Sequence, residues 1–192
     1  RPDAQLVTVD PDPAKGADYV GVADALSENP DTGAVIIASP TELHMWQMDW
    51  LALADIPFLV EKPPCRPNYK TDQDETELDR FRQMVDYAES KHMACACGFN
   101  YRFHPALHGL AADGNISFRS QDDLLARYGP DVLGVSGCHV VDLALYLLGP
   151  TREVELGQDG CQMLGWITHE SGLTSSYDIR IDKKNERCCV MR

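Results

Sequence analysis

The chain has 192 residues, 44% of them hydrophobic, with thirty acidic side chains against seventeen basic ones and a net charge of −13. That charge repels nucleic acid and anionic membrane surfaces and so predicts neither as a partner. No apolar run approaches the ~18 residues a membrane helix needs, no signal peptide opens the chain, and a core of real size is within reach of this length. Seven cysteines, an odd number, lack the spacing of a disulfide framework or a zinc ribbon. They read as small buried hydrophobes in a reducing compartment, which predicts a cytoplasmic protein without a metal.

Gln5 to Val9 reads as a central strand closed by Asp10 before Pro11, and Tyr19 to Ser27 as a short helix. Ala34 to Ala38 is a short apolar run rich in β-branched residues, predicting a strand buried on both faces. Thr41 to Ala54 follows as a helix with Thr41 as its N-cap, and Pro57 to Val60 as a second buried strand. This is a β-α-β unit, so its strands should run parallel with a right-handed crossover. Leu78, Phe81, Val85 and Ala88 form an amphipathic stripe in a helix from Asp72 to His92, and Met93 to Phe99 is the next strand. The run Thr71 to Arg80 carries five acids, read as a solvated helix start.

Beyond Phe99 the pattern changes. Asn115 to Arg119 reads as a strand, Asp122 to Tyr128 as a helical turn, and Val140 to Leu148 as a helix stopped by Gly149 and Pro150. Arg152 to Glu155, Gln162 to Thr168 and Leu173 to Ile181 alternate as strands of an antiparallel sheet. The expected architecture is α/β: a Rossmann-like, doubly wound parallel sheet over residues 1–99, then a C-terminal α+β domain over residues 100–192 with a mainly antiparallel sheet.

In parallel sheets the ligand crevice lies outside the carboxyl ends of the strands. Ser39 to His44 and Glu61 with Lys62 therefore belong to one cleft, and a Lys between an acid and a proline is a candidate for chemistry. Asp10, ending a strand, has two readings: an acid that bonds the adenosine ribose and favours NAD over NADP, or the start of a turn before a proline.

Four segments in order, Ala38 to His44 (Ala-Ser-Pro-Thr-Glu-Leu-His), Glu61 to Pro63 (Glu-Lys-Pro), Gly98 to Pro105 (Gly-Phe-Asn-Tyr-Arg-Phe-His-Pro) and His139 to Asp142 followed by Tyr146 to Gly149, resemble the glucose-fructose oxidoreductase / inositol dehydrogenase / rhizopine catabolism family, Gfo/Idh/MocA. The resemblance implies an NAD(P)-dependent oxidoreductase that moves a hydride between a nicotinamide ring and a hydroxyl or carbonyl of a sugar or polyol, with NAD expected before NADP. It assigns the proton to Lys62 and His139, and the cofactor to Asp10, Ser39, Pro40, Thr41, His44, Glu61 and Lys62. His44, in the first turn of its helix, is nevertheless read as a structural group. Tyr101, Arg102 and Asp142 fall at the substrate cleft, Arg102 with a planar fork suited to a carboxylate or sugar hydroxyls. It also implies a homo-oligomer, dimer or tetramer, formed through the exposed face of the second domain's sheet.

Two departures stand beside it. Only nine residues precede Asp10 and no Gly-x-Gly-x-x-Gly occurs, whereas the phosphate loop of this fold precedes such an acid by ~20 residues. Either residues of the protein are missing from this sequence or it is a shortened homologue. The Asp that the family commonly places three or four residues before the His is here Ser136 or Val135. The alternative to an enzyme is accordingly a non-catalytic, ligand-sensing or regulatory homologue.

Overall fold

A computed structural model describes residues 4–66, 69–71, 74–105, 116–121, 137–159 and 162–180. Its first half holds three short parallel strands, β1 (Val35–Ile37), β2 (Phe58–Val60) and β3 (Cys95–Cys97), side by side in that order. The register sets Ile37 opposite Val60 and Val60 opposite Cys97, so the three strands end level. Three helices accompany them: α1 (Val22–Glu28), α2 (Thr41–Leu53) and α3 (Glu77–Ser90). Met45, Met48, Leu51 and Ala52 of α2 recur at helical spacing and pack with Ile37, Phe58, Val60, Cys65 and Met84 into one core. Each Met, Leu, Ile, Phe or Val side chain among them, fully buried, contributes about 1.5–3 kcal/mol relative to exposure.

Several expectations need correction here. Gln5 to Val9 is not a central strand: Val9 makes a single bridge to Tyr19, and Leu6 is exposed. An apolar alternation of this length pairs only where a neighbouring strand is offered, and none of the described strands lies beside it. β1 is buried on one face only, since Ile36 is 65% exposed while Ile37 is 4% exposed. Pro40, not Thr41, takes the N-cap position of α2, without a side-chain capping bond. The helix expected from Asp72 starts at Glu77, because Thr76 and Asp79 form a reciprocal capping box that fixes the first turn. Glu77 belongs to the acidic run read as solvated, yet it is buried: it accepts from the Arg66 backbone N–H at 2.7 Å and from Arg66 Nε at 3.0 Å.

The second half has a four-stranded sheet in the order β4 (Ile116–Gln121), β7 (Thr174–Arg180), β6 (Gln162–His169), β5 (Thr151–Asp159). β5, β6 and β7 are antiparallel and β4 joins β7 in parallel. Helix α4 (Cys138–Leu148) lies on one face, where Val140, Leu143 and Ala144 meet Ile167 and Tyr177 in a separate core. Gly149 ends α4 as expected; its φ of +88° is a conformation that side chains with a Cβ rarely adopt. The helical turn expected at Asp122 to Tyr128 lies outside the described residues.

The carbonyl end of α4 is tied to the sheet by buried polar groups. His169 Nδ1 lies 2.7 Å from the Gly149 carbonyl oxygen and its Nε2 2.9 Å from Ser175 Oγ, which is 2.9 Å from the Tyr177 hydroxyl. Ser171 Oγ donates to the Leu148 carbonyl at 2.8 Å. These bonds satisfy the orphan carbonyls of a helix end and so anchor the C-terminal end of α4 on the sheet.

Candidate functional site

The level strand ends create the site. The Glu61 N–H donates to the Ile37 carbonyl at 2.9 Å and the Gly98 N–H to the Val60 carbonyl at 2.8 Å, extending the ladder one residue past each strand. Ser39, Glu61 with Lys62, and Phe99 therefore leave the sheet at one end, as the parallel topology predicts. Gly98 keeps that end compact: a Cβ there would come within 3.3 Å of Glu61 Oε1.

A short 3-10 helix, Asn100–Phe103, follows β3 and packs against α4. Its Tyr101 ring stacks on His139 at 4.4 Å between centroids and 15° between planes, and Phe99 meets the same imidazole edge-on at 6.2 Å. Arg102 directs its fork at Asp142, with Nε donating to Oδ2 at 2.9 Å and a second guanidinium nitrogen donating to Oδ1. The fork thus ties the 3-10 helix to α4, one turn beyond His139, and both charges answer each other.

His139 is 7% exposed, and its Nδ1 has no hydrogen-bond partner among the described residues. Burial first, and then the nearby Lys62 ammonium, lower its pKa below the ordinary imidazole value, against the opposing pull of Asp142 and Glu61. Its place in the first turn of α4, at the positive end of the helix dipole, also disfavours imidazolium. The structure thus brings Lys62, Glu61, His139, Tyr101 and Asp142 within electrostatic reach of one another. The imidazole stands within the field of the Lys62 charge, and a buried imidazole is a group that can take or give a proton near neutral pH.

The thiols at this end take no such part. Burial pushes Cys97 up to about 12 and Cys138 up to about 11, Cys138 despite the lowering influence of Lys62. Both stay protonated near neutral pH, which makes them packing groups rather than nucleophiles. Among the described residues no three His, Cys, Asp or Glu side chains are gathered to hold a metal ion.

Ser39, Pro40, Thr41 and His44 stand together where the chain passes from β1 into α2. Ser39 Oγ donates to Gln47 Oε1 at 2.5 Å, and Thr41 stands in the first turn of α2. Asp10 lies apart from this cluster in the exposed loop, where its carboxylate accepts from the Asp12 N–H at 2.9 Å and from Lys15 Nζ at 3.1 Å. Those bonds, the Asp12 N–H foremost, hold its pKa below the usual carboxylate value. Ser136 and Val135 lie outside the described residues. Sequence reasoning missed the aromatic box that Phe99 and Tyr101 build around His139; the only signal was their position in the third motif. It missed the Arg66–Glu77 pair altogether, since nothing in a charge run marks which acid turns inward.

No family model and no curated protein matches the chain by sequence. Solved structures do match in fold. A putative myo-inositol dehydrogenase from Sinorhizobium meliloti is 20% identical with a TM-score of 0.71, covering 100% of this chain and 66% of its own. Levoglucosan dehydrogenase, solved with NADH and levoglucosan, is 19% identical with a TM-score of 0.73, covering 95% of this chain and 59% of its own. A putative NADPH-dependent oxidoreductase from Desulfitobacterium hafniense is 17% identical with a TM-score of 0.75, covering 94% of this chain and 61% of its own. The chain therefore spans about three fifths of the length of such structures. Its fold is that of the Gfo/Idh/MocA-type dehydrogenases.

Proposed function

We propose that this chain is the larger part of a nicotinamide-dependent oxidoreductase acting on a hydroxyl or carbonyl carbon of a sugar-like or polyol substrate, with Lys62 and His139 handling the proton. The observation that carries this reading is a buried, aromatic-boxed His139 under the electrostatic influence of Lys62, with Lys62 at the level carboxyl ends of three parallel strands. The shared fold and the polyol, sugar and nicotinamide named for the matched dehydrogenases support it.

The residues present fit a dinucleotide in part. Ser39, Pro40 and Thr41 line the strand ends, and the Asp10 carboxylate, part-exposed, would exchange its Lys15 bond for a ribose hydroxyl; no residue in the sequence supplies the glycine-rich phosphate loop. When bound, a nicotinamide ring would supply or accept the hydride. The Lys62 ammonium hydrogen-bonds and polarises the substrate oxygen, and His139 takes the hydroxyl proton on oxidation or returns it on reduction. Tyr101 and Phe99 keep water from the imidazole. Asp142, held by Arg102, fixes the first turns of α4 so that His139 meets Lys62; a direct substrate contact of Tyr101, Arg102 or Asp142 belongs to the same proposal. Asp10 is the group that favours NAD over NADP, because a 2′-phosphate would face its carboxylate. We place the domain boundary near Phe99, between the two cores, and assign the protein to the cytoplasm.

The test is a panel of polyols and sugars with NAD and NADP on the full-length protein. Lys62→Ala is expected to remove turnover while leaving the nicotinamide fluorescence titration nearly unchanged. Full turnover in that variant would sink the assignment. Saturable ligand binding without turnover of any substrate by the unaltered protein would favour a sensing homologue.

A further inference from the structure

The histidine at the start of α2 sits at a junction the chemistry above does not explain. His44 is 1% exposed, and its two ring nitrogens face two different loops: Nδ1 lies 2.9 Å from the Pro63 carbonyl oxygen and Nε2 lies 2.8 Å from the Ser39 carbonyl oxygen. Ser39 follows β1 and Pro63 follows Lys62 beyond β2. A carbonyl oxygen only accepts: the neutral ring carries one N–H and donates to one of the two carbonyls, the doubly protonated ring donates to both, and in either form the imidazole fills the gap between the two loops. We propose that His44 is a positioning residue that straps the Lys62 segment to the Ser39 loop and so fixes where the Lys62 ammonium stands.

The sequence around Lys62 explains why such a strap is needed. Pro63 and Pro64 both lack a backbone N–H, so this stretch cannot hold itself in the ladder by donating. On the near side Lys62 is secured by the Glu61 N–H bond to Ile37. On the far side the Pro63 carbonyl is the next backbone handle, and His44 takes it. The following residues are anchored in turn through Arg66, whose N–H and guanidinium both meet the buried Glu77. Lys62 is thus fixed from three directions: the strand ladder, the α2 imidazole and the first turn of α3. A histidine that merely filled space would not need both nitrogens opposite carbonyl oxygens.

This inference rests on the reading of Lys62 as a proton-handling group, so its test uses a readout that needs no turnover. The imidazole of His139 reports on Lys62, whose charge lowers its pKa, alongside Glu61 and Asp142, which raise it. The His139 proton signal is followed by NMR titration of the full-length protein, assigned by its loss in His139→Gln. Lys62→Met is expected to shift the midpoint upward. His44→Phe, a ring of similar size without donors, is expected to shift it in the same direction with the near-native circular dichroism retained. His44→Gln, whose amide carries two N–H donors, is expected to return the midpoint toward that of the unaltered protein. If Lys62→Met shifts the midpoint and His44→Phe does not, the strap is wrong and the assignment of Lys62 stands. If Lys62→Met leaves it unchanged, the pairing of Lys62 with His139 fails, and the strap with it. Should His44→Phe not fold, the ring N–H protons of His44 are read in the unaltered, nitrogen-labelled protein: a downfield, slowly exchanging ring N–H supports the strap, and a rapidly exchanging one overturns it.

Discussion

The chemistry of this chain turns on how one imidazole is housed. His139 owes its lowered pKa first to burial under Tyr101 and Phe99 and then to Lys62. Removing the stacked ring readmits water, so Tyr101→Ala should raise the His139 midpoint in an NMR titration; an unchanged midpoint would mean that the ring does not supply the desolvation. The same shift has a consequence for stability. Its folded pKa lies below the ordinary value of 6.5, so below that pH the unfolded chain binds the proton more readily than the folded one. This residue therefore costs stability as pH falls from about 6.5 toward its folded midpoint and costs nothing above that window. The urea midpoint of the unaltered protein, taken relative to that of His139→Gln, should rise as the pH rises across that window and level off above it; a pH-independent difference would rule the linkage out. The candidates themselves were legible as residue types, since Lys62 and His139 stand in short motifs with fixed neighbours. The aromatic box was not legible, because it needs the 3-10 helix to fold Tyr101 back across a gap of 38 residues in sequence onto α4.

At the scale of elements, the helices and strands of the first half were read where apolar periodicity was strong and misread where a local polar contact set the boundary. The start of α3 is one case. Thr76 accepts from the Asp79 N–H and Asp79 reaches back to Thr76, so the helix begins there rather than at the acids before it. Thr76→Ala should cost about 1 kcal/mol in urea denaturation. Glu77 should matter more, because Arg66 is left without its carboxylate when it is removed. Glu77→Ala is expected to cost about 2–3 kcal/mol, below the ~3–5 kcal/mol of a fully buried pair because Arg66 keeps partial contact with water. A loss under 0.5 kcal/mol, on the order of an ordinary surface substitution, would show that water replaces the pair without penalty.

At the scale of the whole molecule, the 3-10 helix after β3 packs against α4, and exposed apolar side chains stand on the sheet of the second half. Leu164 and Trp166 alternate with the buried Ile167 along β6 and point away from α4, 46% and 42% exposed. An apolar sheet face of this kind is the surface on which a homo-oligomer would form. If a homo-oligomer forms there, Trp166→Lys lowers the molar mass read by light scattering relative to the unaltered protein; an oligomer whose mass the substitution leaves unaltered would place the interface elsewhere. The sequence by itself determined the class of the fold, the parallel order of the three strands and the cluster of polar residues at their ends. Those follow from period, turn chemistry and topology, which act over a few residues or through rules that hold for any chain. Only the tertiary structure decided that Gln5 to Val9 stays unpaired among the described strands, that Glu77 turns inward, that the Arg102 fork is spent on Asp142, and that His44 bridges two loops. Each of these depends on which partner from a distant segment arrives within hydrogen-bond reach, and that distance is fixed by packing.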